Sequence, residues 1–136
     1  MAFHPYLNFG GDCRAAFERY HAIFGGELVL LRMGDVPMDP APAAEDADRI
    51  MHAALKLGDD LLMASDAPAG EFAAPTGMWV NYDATEVSEA RRIFEMLGDG
   101  GTVTMPMAET FWSPAFGMCV DRFGTPWMIS AAPTDA

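Results

Sequence analysis

The feature that most constrains this chain is one order of predicted elements that occurs twice. Each half contains an alternating strand, an amphipathic helix, a second strand and a hairpin. In the first half these elements cover residues 3–9, 13–24, 27–33 and 50–66. In the second half they cover residues 78–82, 87–97, 102–107 and 116–130. Because two separate runs of sequence give the same order, the pattern predicts a duplicated βαβββ unit.

Acidic residues precede both predicted helices. Asp12 stands just before the first helix, and DATE at 83–86 is typical of a capping box with Asp83 in the cap position. Side chains in that position accept hydrogen bonds from the amides of the first helical turn. Glycines follow both helices, as is usual where a helix ends. The sequence therefore predicts that Asp12 and Asp83 start the two helices.

A single helix in each unit limits how the sheets are covered. One helix covers one face of four strands, so something else must cover the second face. Two units joined edge to edge would leave a shared concave surface, and we expect the binding cavity there. The predicted fold class is α+β, as a single domain of two βαβββ modules. The modules cover about 1–66 and 77–136, with irregular loops at 34–49 and 67–76.

Length, composition and charge narrow the possible partners. The chain has 136 residues, 51% of them hydrophobic, which suits one compact core. Its formal net charge of −12 repels phosphate backbones and anionic lipid headgroups, so neither nucleic acid nor a membrane is expected as a partner. The sequence shows no secretory signal pattern and no apolar run long enough to span a membrane. It predicts a cytoplasmic protein.

The two cysteines and the common cofactor motifs give no sign of a reactive centre. Cys13 and Cys119 lack paired metal-binding spacing, so we expect buried, reduced thiols rather than a disulfide or a nucleophile. The chain has no glycine-rich phosphate loop, no GxSxG turn and no CxxC pair. The sequence therefore predicts no cofactor.

Three segments carry a resemblance to a known family. They are GDCRAAFERYHAIFGGEL, the hairpin IMHAALKLGDDLLMASD, and ETFWSPAFGMCVDRFGTPWMIS. Together with the duplicated order, they resemble the PhnB-like branch of the vicinal oxygen chelate superfamily, which includes glyoxalases, bleomycin-resistance proteins and extradiol dioxygenases. The resemblance covers essentially the whole chain. It implies a glyoxalase/bleomycin-resistance-type fold with a concave cavity, and a homodimer.

The same resemblance implies where a metal would bind. Metal-dependent members take His, Glu or Gln ligands from the first strand and the last hairpin strand of each unit. In this chain the corresponding positions are Tyr6, Gly77 or Met78, Met128, and a residue of LLMAS at 61–65. A divalent ion of this type needs three or four converging N, O or S ligands. We therefore predict that the shared metal site is replaced and that no metal is bound.

Two residues of the first module are candidates for ligand contact. In IMHAALKL, alternation places Ile50, His52, Ala54 and Lys56 on one face and Met51, Ala53, Leu55 and Leu57 on the other, helix-covered face. His52 then points to the cavity beside Tyr6, and a similar His occurs in the relatives that the chain resembles. For each residue a structural role is the alternative to ligand contact. His52 would then be hydrogen-bonded within the sheet, and Tyr6 would only line an amphipathic cavity wall.

Three residues of the second module are further candidates. Glu109 lies beside Trp112 in AETFW, where a carboxylate contacts a ligand or acts as acid or base if it is partly buried. The alternative is a loop carboxylate that accepts backbone N–H bonds. Alternation assigns Trp127 to the helix-side core and Met128 to the cavity wall. Asp121 flanks a tight turn, where it is expected to order the backbone.

Two functions stay open. The first is metal-independent binding of a small amphipathic molecule in the cavity, in contact with Tyr6, His52, Glu109, Trp112 and Met128. The second is a glyoxalase-type lyase or isomerase, or a dioxygenase-like enzyme, that uses His52 or Glu109 as acid or base with a metal held in an unusual way. Some members of the branch are catalogued as demethylubiquinone methyltransferases, but nothing here resembles a doubly wound cofactor fold with a glycine-rich first turn.

Overall fold

The structure is a computed structural model, which describes residues 2–37, 39–68 and 70–133. These residues divide into two compact units, Met1–Ala73 (unit 1) and Ala74–Ala136 (unit 2). Unit 1 contains β1 (Tyr6–Phe9), α1 (Cys13–Phe24), β2 (Glu27–Arg32), β3 (Ile50–Leu57) and β4 (Asp60–Asp66). Unit 2 contains β5 (Val80–Ala84), α2 (Val87–Gly98), β6 (Thr102–Ala108), β7 (Phe116–Val120) and β8 (Pro126–Ala131).

Each unit forms its own four-stranded mixed sheet. The strand order is β1-β4-β3-β2 in unit 1 and β5-β8-β7-β6 in unit 2. The first strand of each unit pairs in parallel with the last strand, and the remaining pairs are antiparallel. The duplicated βαβββ order and the α+β fold class that the sequence predicts are therefore confirmed.

One helix packs on one face of each sheet through apolar positions at helical spacing. The buried residues of α1 are Cys13, Ala16, Phe17, Tyr20 and Ile23. Those of α2 are Ala90, Ile93, Phe94 and Leu97. The apolar spacing of the sequence also predicts Phe24 and Val87 on these faces, but both are only half-buried, and Ile23 is buried on α1 instead of Phe24. These side chains meet the helix-facing residues of the strands, such as Phe9 and Trp127, which are 1% exposed.

Neither helix is capped by the side chain of the aspartate that the sequence predicts. Asp12 occupies the residue before α1 but makes no side-chain hydrogen bond to the helix. Instead Asp66, at the end of β4, accepts the amides of Gly11 and Cys13 at 2.9 and 3.1 Å on Oδ1. Its Oδ2 accepts the amide of Ile50 at 2.8 Å. A carboxylate distant in sequence therefore caps α1 and also ties β3 to β4.

Asp83 is likewise not the cap of the second helix. It belongs to β5, and α2 begins four residues later at Val87, after Glu86, which makes no side-chain cap bond either. The DATE motif therefore marks the end of a strand. Its aspartate is free for a different role, described below.

Asp121 orders the turn between β7 and β8, as predicted. Its Oδ1 accepts the amides of Phe123 and Thr125 at 2.9 and 3.0 Å. Its Oδ2 accepts the indole N–H of Trp127 at 2.9 Å. Asp121 is 5% exposed, so this one side chain joins the turn to the buried core of unit 2.

A bulge changes the predicted alternation at the start of β3. The register between β2 and β3 shifts between Leu31 and Arg32, and Arg32 pairs with Ile50. An extra residue in one strand reverses the faces beyond it. As a result Ile50 is buried and Met51 is exposed, whereas the sequence predicts the reverse. His52, Ala54 and Lys56 keep their predicted face.

The segment predicted as an irregular loop at 34–49 is held by its own contacts. It contains two short 3-10 helices, Met33–Asp35 and Ala44–Asp46. The guanidinium of Arg32 lies 2.8 Å from a carboxylate oxygen of Asp35 and 2.8 Å from one of Asp48. No helix within the described ranges is long and apolar enough to cross a membrane.

Candidate functional site

The helix covers one side of each sheet, and we call the opposite side the open face of that unit. Because paired residues of neighbouring strands share a face, the registers define its members. The open face of unit 1 comprises Tyr6, Asn8, Glu27, Val29, Leu31, His52, Ala54, Lys56, Leu61, Met63 and Ser65. Its centre is apolar, and Val29 and Leu31 are 58% and 38% exposed. The face therefore presents hydrophobic area that α1 does not cover.

Tyr6 and His52, two of the predicted ligand residues, meet on this open face. The Tyr6 hydroxyl lies 3.3 Å from His52 Nδ1, and the two ring centroids are 5.9 Å apart. Either group donates, depending on which imidazole nitrogen carries the proton. Tyr6 is half exposed and His52 is half-buried, so both remain accessible. The pair can orient a polar group of a ligand and can exchange a proton with it.

The strand registers identify the residues at the four positions where the resemblance implies metal ligands. In unit 1, Tyr6 pairs with Met63. In unit 2, Asn81 pairs with Met128 in the same parallel arrangement. Asn81 is therefore the structural equivalent of Tyr6, which corrects the predicted Gly77 or Met78; those residues precede β5.

Neither pair of positions is well suited to Zn²⁺ or a similar divalent ion. Unit 1 offers a phenol and a thioether there, and unit 2 offers an amide and a thioether, whereas such ions are usually held by imidazole, carboxylate or thiolate groups. Among the described residues, no three or more His, Cys, Asp or Glu side chains come together in a way that could hold a metal ion. Asp66, a carboxylate three residues from Met63 in the same strand, accepts hydrogen bonds from three backbone amides.

The open face of unit 2 also carries large apolar side chains. It comprises Asn81, Asp83, Thr102, Met105, Ala108, Phe116, Met118, Val120, Pro126, Met128 and Ser130. Met128 lies on this face, and Trp127 lies on the helix side, as the sequence predicts. Three methionines in neighbouring strands give an adaptable apolar surface.

Glu109 and Trp112 lie in the loop between β6 and β7. The Trp112 ring packs edge-on against Phe111 and Phe116, at centroid distances of 4.7 and 5.3 Å, and is half exposed. The buried Ser113 fixes the loop, because its hydroxyl lies 2.8 and 2.7 Å from the carbonyls of Ala115 and Ala131. Glu109 is exposed, and within the described part of the chain its carboxylate accepts no hydrogen bond.

A polar cluster that the sequence analysis missed lies at the β5–β8 pair of unit 2. The Ser130 hydroxyl donates to Asp83 Oδ1 at 2.6 Å, and the Asn81 amide donates to the same oxygen at 3.1 Å. The sequence does contain a signal for this cluster, because alternation in VNYDA places Asn81 and Asp83 on the same face of a strand. The prediction of Asp83 as a helix cap conflicts with that interpretation.

The two cysteines are unsuited to catalysis. Both are free and fully buried. Burial, with the nearby charges of Asp66 and Asp12, raises the pKa of Cys13 to about 12. Burial and the charge of Asp121 raise the pKa of Cys119 to about 11. Since the thiolate is the nucleophile, neither group is reactive at neutral pH.

Comparison with known proteins places this geometry in a family. No family model matches the sequence. Protein YjdN of Escherichia coli (strain K12) is 34% identical over 140 residues, which cover 96% of this chain and 95% of YjdN. The chain belongs to the YjdN family. The crystal structure of protein PA1353 from Pseudomonas aeruginosa is 42% identical, with a TM-score of 0.90 over 97% of this chain and 98% of that one.

More distant structures share the fold of this YjdN-family chain. A PhnB protein from Bacillus cereus, named as a 3-demethylubiquinone-9 3-methyltransferase, is 22% identical with a TM-score of 0.79, covering 97% of this chain and 100% of that one. A glyoxalase/bleomycin resistance protein/dioxygenase family enzyme from Burkholderia phytofirmans is 14% identical with a TM-score of 0.66, at the same coverage. These likenesses show that the chain has the glyoxalase/bleomycin-resistance-type fold that the predicted resemblance implies.

Proposed function

We propose that this YjdN-family protein binds a small amphipathic molecule without a metal, and that the open face of unit 1 contacts it. The observation that supports this most is the hydrogen-bonded pair of Tyr6 and His52 at the edge of an apolar sheet face. Small-molecule sites are mainly apolar and contain a few placed polar groups that fix the ligand's orientation. This face has that composition.

The apolar part of the proposed site runs from the edge strand β2 across the two central strands. Val29, Ala54 and Met63 lie in one row across β2, β3 and β4, with Tyr6 next to Met63 on β1. Removing apolar area from water contributes about 25 cal/mol per Å². A flat hydrophobic body that covers this row would place its polar end near Tyr6 and His52.

The residues at the implied metal positions favour binding without a metal. Tyr6 and Met63 in unit 1, and Asn81 and Met128 in unit 2, supply no anionic or imidazole ligand. The apolar thioethers are better suited to contact with a hydrophobic ligand. The cavity between the modules, the homodimer and the cytoplasmic location stay predictions from the sequence.

A second candidate function is favoured by the same hydrogen bond. A phenol hydroxyl in contact with an imidazole is an acid–base pair, and a glyoxalase-type lyase or isomerase needs one group that both accepts and returns a proton. His52 would fill that role, whereas Glu109 is exposed in a loop. The two functions differ in what happens to the bound molecule. A binding protein releases it unchanged, whereas an enzyme converts it, and His52→Ala should abolish that conversion.

The proposal predicts that loss of the polar pair weakens binding. The probe is N-phenyl-1-naphthylamine, a neutral amphipathic fluorophore, titrated into chelator-treated protein. We expect the double variant Tyr6→Phe/His52→Ala to bind the probe about tenfold more weakly. The variant loses roughly one hydrogen bond between uncharged groups and the contact area of the His52 ring. Amide shifts in NMR spectra should locate the probe at β1, β3 and β4.

The matched control is His21→Ala/Tyr82→Phe, which removes the same groups from other parts of the chain. His21 lies on α1, where its Nε2 is 3.1 Å from the Gly26 carbonyl, and the Tyr82 hydroxyl donates to Glu89 on the helix side of unit 2. This control should bind the probe like the unmodified protein. Equal affinities for both double variants, or shifts confined to other elements, would refute the proposal.

A further inference from the structure

The polar cluster on the open face of unit 2 has a defined chemical preference. Asp83 is an exposed carboxylate at the end of β5. Its Oδ1 accepts two hydrogen bonds, from the buried Ser130 hydroxyl and from Asn81, while Oδ2 receives none from any residue that the structure describes. The carboxylate is thus held in one orientation with an acceptor oxygen left over. Such an oxygen is suited to an ammonium group.

The side chains in line with Asp83 are suited to an aromatic group. Asp83 pairs with Ser130, and Ser130 pairs with Phe116, so the three residues form one row across β5, β8 and β7. Two strand spacings place Phe116 about 10 Å from Asp83. Phe116 itself is buried at 6% exposure, and the half-exposed Trp112 ring packs on it at 5.3 Å, so Trp112 presents the aromatic surface at this end of the row. Met118 and Met128 pair with each other in the adjacent row and form an apolar floor.

Unit 1 provides an internal comparison for this row. Its equivalent pair is Asn8 and Ser65, in which the Ser65 hydroxyl donates to Asn8 Oδ1 at 3.3 Å. The serine and its bond therefore occur in both copies, but only unit 2 has a carboxylate there. The two units therefore differ in charge at the equivalent positions Asn8 and Asp83, while the strand pairing around these two side chains is the same.

We propose that the open face of unit 2 is a subsite for a small aromatic alkylammonium ion, with the ammonium on Asp83 and the aromatic ring on the exposed part of Trp112. This goes beyond the proposed function, because it concerns unit 2 by itself and names the class of ligand that its open face takes. The net charge of −12 also attracts cations over a longer range. The subsite is distinguished from that general attraction by its dependence on one particular carboxylate.

The test uses three probes with the same ring and chain but different charge: 4-phenylbutylamine, 4-phenylbutanol and 4-phenylbutyrate. Each is titrated at 0.15 M salt and followed by amide shifts in NMR spectra of the full chain. We expect the amine to bind roughly fivefold more tightly than the alcohol, and the carboxylate to bind most weakly. The largest shifts for the amine should occur at 81–84, 116–118 and 128–130.

Two variants separate the subsite from the overall charge. Asp83→Asn recreates the side chain of unit 1 and should abolish the preference for the amine over the alcohol. Glu95→Gln, on the exposed side of α2, changes the net charge equally and should leave that preference unchanged. An equal loss in both variants, or a preference that survives Asp83→Asn, would overturn the inference. If N-phenyl-1-naphthylamine and all three phenylbutyl probes fail to bind, the proposed function fails as well.

Discussion

Replacing Asp66 with alanine is expected to lower the free energy of unfolding by about 3–4 kcal/mol. Three backbone amides, two of them in buried hydrogen bonds, lose their acceptor at a cost of about 1–3 kcal/mol each, and such costs are not fully additive. Those amides belong to Gly11, Cys13 and Ile50, which lie in the turn before α1 and at the start of β3. Asp66 is 8% exposed, so water cannot readily replace it. Urea unfolding followed by circular dichroism measures the loss.

Asp12→Ala is the matched control for that variant. Asp12 precedes α1 directly but makes no side-chain bond to it, so its removal should change stability by less than about 0.5 kcal/mol. If Asp12 were the cap, its loss would cost about 1 kcal/mol. A larger effect for Asp12→Ala than for Asp66→Ala would show that the helix start has been misassigned.

Asp121→Ala is expected to destabilise unit 2 by a similar amount, about 3 kcal/mol. Its carboxylate joins the amides of Phe123 and Thr125 to the indole N–H of Trp127. Trp127 is 1% exposed, so its N–H would lose the Asp121 acceptor where water cannot readily replace it. Tryptophan fluorescence during urea unfolding reports on this region, and we expect a lower midpoint with a red-shifted native spectrum.

Asp59→Ala controls for the loss of an aspartate from a hairpin turn. Asp59 lies in the exposed turn between β3 and β4. Its removal should leave the unfolding midpoint almost unchanged, since surface substitutions usually shift stability by less than about 0.5 kcal/mol. If the two variants behaved alike, Asp121 would be an ordinary turn residue and the hydrogen bonds to the core would contribute little.

The parts of the fold that sequence alone predicts are those that depend on local periodicity. Alternation correctly places Trp127 and Met128 on opposite faces. The apolar spacing of the first helix predicts four of the five buried residues of α1. Alternation predicts the wrong face for Ile50, because a bulge lies next to it in the pairing with β2. A bulge depends on the partner strand and cannot be predicted from the sequence of β3 alone.

The errors at the candidate site have a common cause. Both Asp12 and Asp83 were assigned as helix caps from their neighbours in sequence, which is where caps usually occur. The actual cap of α1, Asp66, is 53 residues from Cys13 and reaches it through the parallel pairing of β1 and β4. Asp83 was freed for the cluster with Ser130, 47 residues away. Side-chain partners at such separations follow from topology, which a single sequence specifies only indirectly.

Tyr6 and His52 show the reverse case. Alternation in two separate strands places both side chains on the face away from α1, and the sheet order then brings them within 3.3 Å. The position equivalent to Tyr6 in unit 2 was predicted at Gly77 or Met78, because the irregular segment before β5 hides the start of the strand. The parallel register with β8 identifies Asn81 instead.

The measurement that tests the central claim most directly is a metal titration in the presence of the neutral probe. Protein purified without chelator or nickel resin is analysed for bound metal and then titrated with Zn²⁺, Ni²⁺, Mn²⁺ and Fe²⁺ by calorimetry, with and without N-phenyl-1-naphthylamine. We expect no stoichiometric metal and a probe dissociation constant that changes by less than about twofold, since neither Tyr6 with Met63 in unit 1 nor Asn81 with Met128 in unit 2 offers a good set of donors for these ions. One metal ion per chain that raises probe affinity tenfold or more, and is lost in Tyr6→Phe, would contradict the account.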